Sequence, residues 1–308
     1  MTSQAASLRL GTFTPSVLLS VARRLGRLDA HGLEVHPSPV PSSPAQFRSL
    51  VADELDVALT SPDNVIAYRF DPGNPLGRVL DARIVGAVDR GMGLALYGRP
   101  GVTRADQLRG STVGVDVPTS GFAVAMYALA DSLGVGRGEY DVVALGSTPK
   151  RLEALLAGEC DATMLNAGNE LVAEDAGCTP LARVSEVCAP YLGTVVAVVG
   201  PDRLTDAMSV AEALRETALE ITRGRALDVA AQEASEVLGL PRPLALRYVD
   251  RLRRPDEGLV ADPVVPLDAL ATLVELRRRY LPGPDGSDVL EDALTPGSGL
   301  VAGAAVSG

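Results

Sequence analysis

Short β-branched or leucine-rich runs alternate with segments whose apolar residues recur at helical spacing as far as about residue 199, and helical spacing alone continues from there. The runs at 8–11, 33–36, 56–60, 84–88 and 94–97 predict strands. Helices are expected over 17–28, 43–53 and 65–70 between them. The same order follows in the second part of the chain, with strands at 112–117, 140–145, 162–165 and 194–199, helices at 122–133 and 148–157, and a short helix at 103–108. Helices over 204–223, 226–238, 243–252 and 267–280 complete the pattern. From residue 282 onward Gly, Pro, Ser and Ala dominate with little periodicity, which predicts a mobile tail. Strands alternating with helices over most of the chain specify an α/β fold.

One stretch organises the rest. A β-branched run ends at Pro118, which keeps the preceding residue out of helical geometry, and Thr119, Ser120 and Gly121 then lead into the apolar-periodic segment from Phe122. The first N–H groups of such a helix have no intrahelical partner and its dipole is positive there, so this turn can hold a carboxylate, phosphate or sulfonate. Thr119 or Ser120 acting only as a helix cap is the simpler reading. The chain makes this unit twice. Sliding the sequence by 105 positions superposes Thr14 on Thr119, Ser42 on Ser147, Pro44 on Pro149, Asp56 on Asp161 and Asn64 on Asn169 without a gap. Two equivalent α/β lobes are the expectation: residues 1–97 with 195–281 as the first, 98–194 as the second, and the strands at 94–97 and 194–199 as candidates for the hinge.

With 308 residues, 46% of them hydrophobic, the chain can bury a core in each lobe. A net charge of −11 would repel a phosphate backbone, and no basic stretch interleaved with aromatics offsets it, so no nucleic-acid partner is expected. Cys160, Cys178 and Cys188 are odd in number and have neither metal-ligand nor Cys-x-x-Cys spacing, which predicts no disulfide framework and no metal site and is compatible with a reducing compartment. The opening residues show no basic n-region or apolar h-region, and no segment has the length of a membrane span; the expected location is the cytoplasm, or outside it if a leader has been removed. No P-loop, Gly-x-Gly-x-x-Gly unit or nucleophile elbow is present, and no cofactor is expected. His31 and His36 fall away from the strand-to-helix loops and read as surface residues.

In a parallel α/β sheet, ligands bind beyond the carboxyl ends of the strands. That rule puts residues 12–16 and 61–64 on one rim, with 116–121 and 166–170 as the matching loops of the second copy. Asp63, Asp89, Asp116 and Glu170 are the candidate acid/base groups, because a carboxyl desolvated in a closed cleft has its pKa raised toward neutrality. Each has a structural reading beside it: Asp63 as a turn and capping residue, Asp89 as the partner of Arg90, Asp116 as a strand-end acceptor of N–H groups, and Glu170 as a first-turn carboxylate. Arg90 is a candidate to meet a ligand carboxylate at the hinge.

The opening Leu-Arg-Leu-Gly-Thr-Phe-Thr-Pro-Ser, the phrase Leu-Asp-Val-Ala-Leu-Thr-Ser-Pro-Asp-Asn at 55–64 and Gly-Val-Asp-Val-Pro-Thr-Ser-Gly-Phe-Ala at 114–123 resemble the substrate-binding proteins of ABC transporters, in the subgroup of thiamine-pyrimidine, sulfonate and nitrate binders. The resemblance spans about 8–281. It implies the type II periplasmic-binding fold, two lobes closing on a small molecule, with cleft contacts from Thr12, Thr14, Asp63, Asn64, Thr119, Ser120, Gly121, Asn166 and Asn169. The ligand class it implies is a small polar, anionic or heteroaromatic compound, with an ABC permease as partner if an export leader preceded this chain. An enzyme on the same scaffold, of lyase, dehydratase or decarboxylase type, is the alternative.

Overall fold

The computed structural model describes residues 5–283 and 287–302. Strands β1 (Ala6–Thr12), β2 (Leu33–Pro39), β3 (Val57–Thr60) and β4 (Ala82–Asp89) come first, with helices α1 (Val17–Arg24), α2 (Arg27–Ala30), α3 (Ser43–Val51) and α4 (Pro62–Phe70) between them. Next are β5 (Ala95–Gly98), β6 (Thr112–Val115), α5 (Gly121–Ser132), β7 (Asp141–Ala144), α6 (Thr148–Ala157), β8 (Ala162–Leu165), α7 (Asn169–Asp175), β9 (Thr179–Arg183), α8 (Val184–Val187) and β10 (Thr194–Val199). Four helices close the order: α9 (Leu204–Thr222), α10 (Leu227–Leu238), α11 (Arg242–Leu252) and α12 (Leu267–Tyr280).

The strands form two five-stranded sheets, ordered β2-β1-β3-β10-β4 and β7-β6-β8-β5-β9. In each, the three strands of the repeated unit run parallel, and a strand from the other half of the chain joins antiparallel beside them. This is the two-lobed architecture of the periplasmic-binding fold. The chain passes from the first sheet to the second between Asp89 and Ala95, so β5 belongs entirely to the second sheet, although the hydropathy pattern assigned 94–97 to the first lobe. It returns between Val187 and Thr194. The two crossing segments lie side by side: Gly193 N–H donates to the Asp89 carbonyl at 2.9 Å, and a Cβ at Gly193 would run into the Gly91 backbone.

Local chemistry explains where the helices start. Ser16, Ser42 and Ser120 cap α1, α3 and α5 by accepting from Leu19, Ala45 and Ala123 N–H, and prolines occupy the first turns of α3, α4 and α6, where no N–H is needed. Asp56 and Asp161 play the same part in the two copies. Each carboxylate accepts the N–H of the neighbouring strand, Arg9 at 2.8 Å and Thr112 at 2.9 Å, and pairs with an arginine side chain, Arg9 and Arg99 respectively.

The expected mobile tail is corrected by the structure over 287–302. Leu290, Ala293 and Leu300 are buried in the core beside β4, and Val301 bridges Ile84. Arg69 holds the Ser298 carbonyl at 2.7 Å. Sparse periodicity concealed this because the buried side chains are few and irregularly spaced, each leucine burial contributing up to about 1.5–3 kcal/mol. The rest of that tail, 284–286 and 303–308, lies outside the described residues, as do residues 1–4, on which the reading of the amino terminus rested. Among the described residues no helix is long and apolar enough to cross a membrane.

Candidate functional site

The carboxyl ends of the parallel strands in both sheets face a common cavity of about 100 Å³. From the first sheet come the loop after β1, with Thr12, Thr14 and Ser16, and the loop after β3, with Thr60, Ser61 and Asn64. From the second come Asp116, Ser120, Gly121 and Asn166, joined by Thr148 and Arg151 at the start of α6. Asp89 and Thr194, on the crossing strands, close one side; Tyr248, Leu252 and Leu259 supply an apolar wall.

This geometry sets four helix starts on one small volume: Ser16 before α1, Ser61 before α4, Ser120 before α5, and Thr148 opening α6. Each start carries about half a positive charge. Ser61 makes no capping bond, and its buried hydroxyl has no hydrogen-bond partner in the structure. The starts of α4 and α5 approach so closely that a Cβ on Gly121 would lie 2.5 Å from Ser61 Oγ and 2.8 Å from Asp63 Cβ.

Arg151 adds a full charge. It is only 1% exposed, and its N–H groups donate to the Met164 and Gly146 carbonyls and to Thr148 Oγ1. No carboxylate lies within ion-pair distance of it among the described residues, and burial pulls its pKa down to about 10. Sequence reasoning missed this residue, since an arginine inside a helix reads as part of a solvated face; the only available signal was its place one turn beyond the Ser-Thr-Pro start of α6.

Two carboxyls line the same space. Burial pushes Asp89 up to about 6, against hydrogen bonds from the Thr194 side chain and Gly91 N–H. Burial also raises Asp116, against the Ser43 N–H, which reaches its Oδ2 from the opposite lobe at 3.2 Å, and the charge of Arg151. Asp116 was expected to accept N–H groups at its strand end, and the one it accepts belongs to the facing lobe.

Of the sequence candidates, the cavity gathers Thr12, Thr14, Asn64, Asp89, Asp116, Ser120, Gly121 and Asn166. The others sit elsewhere. Asp63 is wholly buried behind the rim, 3.0 Å from Arg277 on α12, which also donates to the Thr119 carbonyl and so spans the two lobes. The Thr119 side chain is exposed to solvent. Asn169 turns back to donate to the Asn166 carbonyl at 3.0 Å. Glu170, in the first turn of α7, accepts from Gly168 N–H and pairs with Arg251 at 3.2 Å; burial pushes it up to about 7 although Arg251 opposes the shift. Arg90 is tied down by its backbone, its N–H donating to the Gly258 carbonyl at 2.9 Å, and its side chain does not line the cavity.

Both flanks of the cleft carry further inter-lobe ion pairs. Arg247 and Arg251, one turn apart on α11, meet Glu174 and Glu170, one turn apart on α7. On α12, Arg279 and Tyr280 meet Asp131 of α5. His31 and His36 lie outside the cavity, beside Glu216 and Glu34. Among the described residues no group of three or more His, Cys, Asp or Glu is placed to hold a metal ion, and the three cysteines are buried and unpaired.

The fold is shared with solved structures of low sequence identity. The alkanesulfonate-binding protein SsuA from Xanthomonas axonopodis, bound to MOPS, is 16% identical with a TM-score of 0.71, covering 94% of this chain and 98% of that one. A Candida albicans protein described as defining a new family with the generic periplasmic binding protein fold is 18% identical with a TM-score of 0.72, covering 96% of each chain. The ligand-binding component of an ABC-type import system from Staphylococcus aureus is 12% identical with a TM-score of 0.71, covering 95% of this chain and 98% of that one. No curated protein matches the chain in sequence. The family model for the ABC transporter phosphonate periplasmic substrate-binding protein matches residues 22–236, more than half of the chain, and the chain therefore belongs to that family of solute-binding proteins.

Proposed function

We propose that this solute-binding protein takes up a small compound with an oxyanion group, of the sulfonate or phosphonate kind, in the cavity between its lobes, and presents it to an ABC permease. The observation that carries this reading is the convergence of four helix starts with one buried arginine that, among the described residues, has no carboxylate within ion-pair distance. Two carboxylates oppose them, but four half-charges and one full charge leave the cavity at about +1 with both carboxylates ionised. A monovalent oxyanion complements that balance. The family's phosphonate description and the sulfonate-binding relative of the same fold support the same class. A compound in this space bridges the two lobes, as closure of a hinged receptor requires.

Isothermal titration of the full chain with ethanesulfonate, methylphosphonate, inorganic phosphate and nitrate tests this. Saturable one-to-one binding of a sulfonate or phosphonate is expected, with the compound recovered unchanged by NMR. Arg151→Met should reduce affinity by about tenfold or more, with the fold checked by circular dichroism. Absence of heat with all four oxyanions, or conversion of a bound compound, would overturn the proposal.

A further inference from the structure

We infer that Arg277 is a positioning residue for the oxyanion site: without touching the ligand, it sets the spacing of two helix starts, α4 from one lobe and α5 from the other, that face the oxyanion. The inference rests on the oxyanion reading above and deepens it. Arg277 is buried behind the cavity and does not line it. It projects from α12, a helix that packs against both α4 and α5 and is anchored in the core by Leu270, Leu273 and Val274.

Ser61 and Asn64 reach the cavity from the start of α4, and Ser120 and Gly121 from the start of α5. Both starts are positive and repel each other. They nevertheless come so close that a Cβ at Gly121 would collide with Ser61 and Asp63. The acceptors by which a cation can draw them together lie just behind: the Asp63 carboxylate in the first turn of α4, and the Thr119 carbonyl ahead of the cap of α5. Arg277 takes both. Its Nη1 donates to Asp63 Oδ2 at 3.0 Å and to the Thr119 carbonyl at 3.3 Å, and its Nη2 donates to the same carbonyl at 3.4 Å. The planar guanidinium suits this task because its donors stand in a rigid fork. Thr119 belongs to the opposite lobe, so opening the cleft breaks the bonds to it, and a ligand that needs both starts at once gains from whatever holds them at this separation. Arg277 and Asp63 are neutral as a pair, leave the charge balance of the cavity unchanged, and act on the ligand through geometry.

Affinity and stability measured on the same full-length proteins test this, by isothermal titration with ethanesulfonate and methylphosphonate and by urea unfolding at pH 7. Asp63→Leu/Arg277→Met removes the bridge without altering net charge. It should unfold near the wild-type midpoint yet bind about tenfold more weakly, the scale of a hydrogen bond from a charged donor. Arg277→Lys keeps a cation beside Asp63 but not the fork, and should fold and bind several-fold more weakly. Arg279→Ala removes a different inter-lobe contact of α12, the ion pair with Asp131, and should bind as wild type does. Wild-type affinity in either Arg277 variant overturns the inference and leaves the oxyanion reading standing. So does an equal loss in Arg279→Ala, since any inter-lobe contact would then serve. A loss of affinity seen only where the unfolding midpoint also falls would show a purely structural role and overturns it as well. If wild type binds neither compound, the oxyanion reading falls and this inference falls with it.

Discussion

Replacing Arg277 by methionine should destabilise the protein in a manner set by pH. Arg277 and Asp63 are both buried, 3% and 0% exposed at the side chain, and 3.0 Å apart. Burial pushes the Asp63 carboxyl up, and Arg277 is the group that pulls it back. Without the guanidinium, an isolated carboxylate at that depth is dearer than a neutral acid, so Asp63 takes a proton. Protonating a carboxyl whose unperturbed pKa is 3.8 costs about 4 kcal/mol at pH 7 and about 1.5 kcal/mol at pH 5. Those are ceilings, because burial already displaces Asp63 with its partner present. They agree with the loss of about 3–5 kcal/mol that follows removal of one member of a buried pair. The mechanism requires the penalty to grow as pH rises, since the folded variant holds on Asp63 a proton that its unfolded chain releases. It also requires the apolar double variant Asp63→Leu/Arg277→Met to recover most of the loss. Urea unfolding of the three proteins at pH 5 and pH 7 measures each quantity. A loss below about 1 kcal/mol at pH 7, an equal loss at both pH values, or a double variant as weak as the single one would refute the reasoning.

Three further outcomes are expected. Glu170 has its pKa raised from 4.5 to about 7 in the fold, so the native state holds a proton that the unfolded chain loses; its contribution is fully present below about pH 4.5 and is lost as pH rises toward 7. Glu170→Gln should therefore gain on wild type by about 3 kcal/mol between pH 4.5 and pH 8 in thermal or urea unfolding, and a constant difference would remove the raised pKa. Gly121→Ala places a methyl group against Ser61 and Asp63 of the opposite lobe, so the closed arrangement should be disfavoured while each lobe folds; small-angle scattering should show a larger radius of gyration, and an unchanged one would show that the gap accommodates the methyl. Leu300→Ala should cost about 2–4 kcal/mol by chemical unfolding if the segment 287–302 is part of the core, and under about 0.5 kcal/mol if it is a mobile tail.

Short apolar runs alternating with segments of helical period were enough to settle the class of fold, because they dictate which faces must be buried and in what order. The doubled unit was legible too: Asp56 and Asp161 do the same work at the feet of β3 and β8, and Ser42 and Ser147 precede equivalent helices. What the sequence could not give was the register of the first strand of each copy. Leu10 pairs with Val57 in the first sheet, but Val113 pairs with Ala162 in the second, two residues out of step with the gap-free repeat. A slip of two preserves the inward and outward alternation of a strand, so the hydrophobic pattern is blind to it. The loops that follow are also out of step, Ser16 and Ser120 capping equivalent helices one residue off the repeat, and Thr14 reaches the cavity while Thr119 does not. Asp63 and Arg151 show the other limit. One is taken out of the site by an arginine more than two hundred residues away, and the other is brought into it by the packing of α6 against β8. Charge and burial at those positions depend on which distant groups arrive, and only the folded chain brings them there.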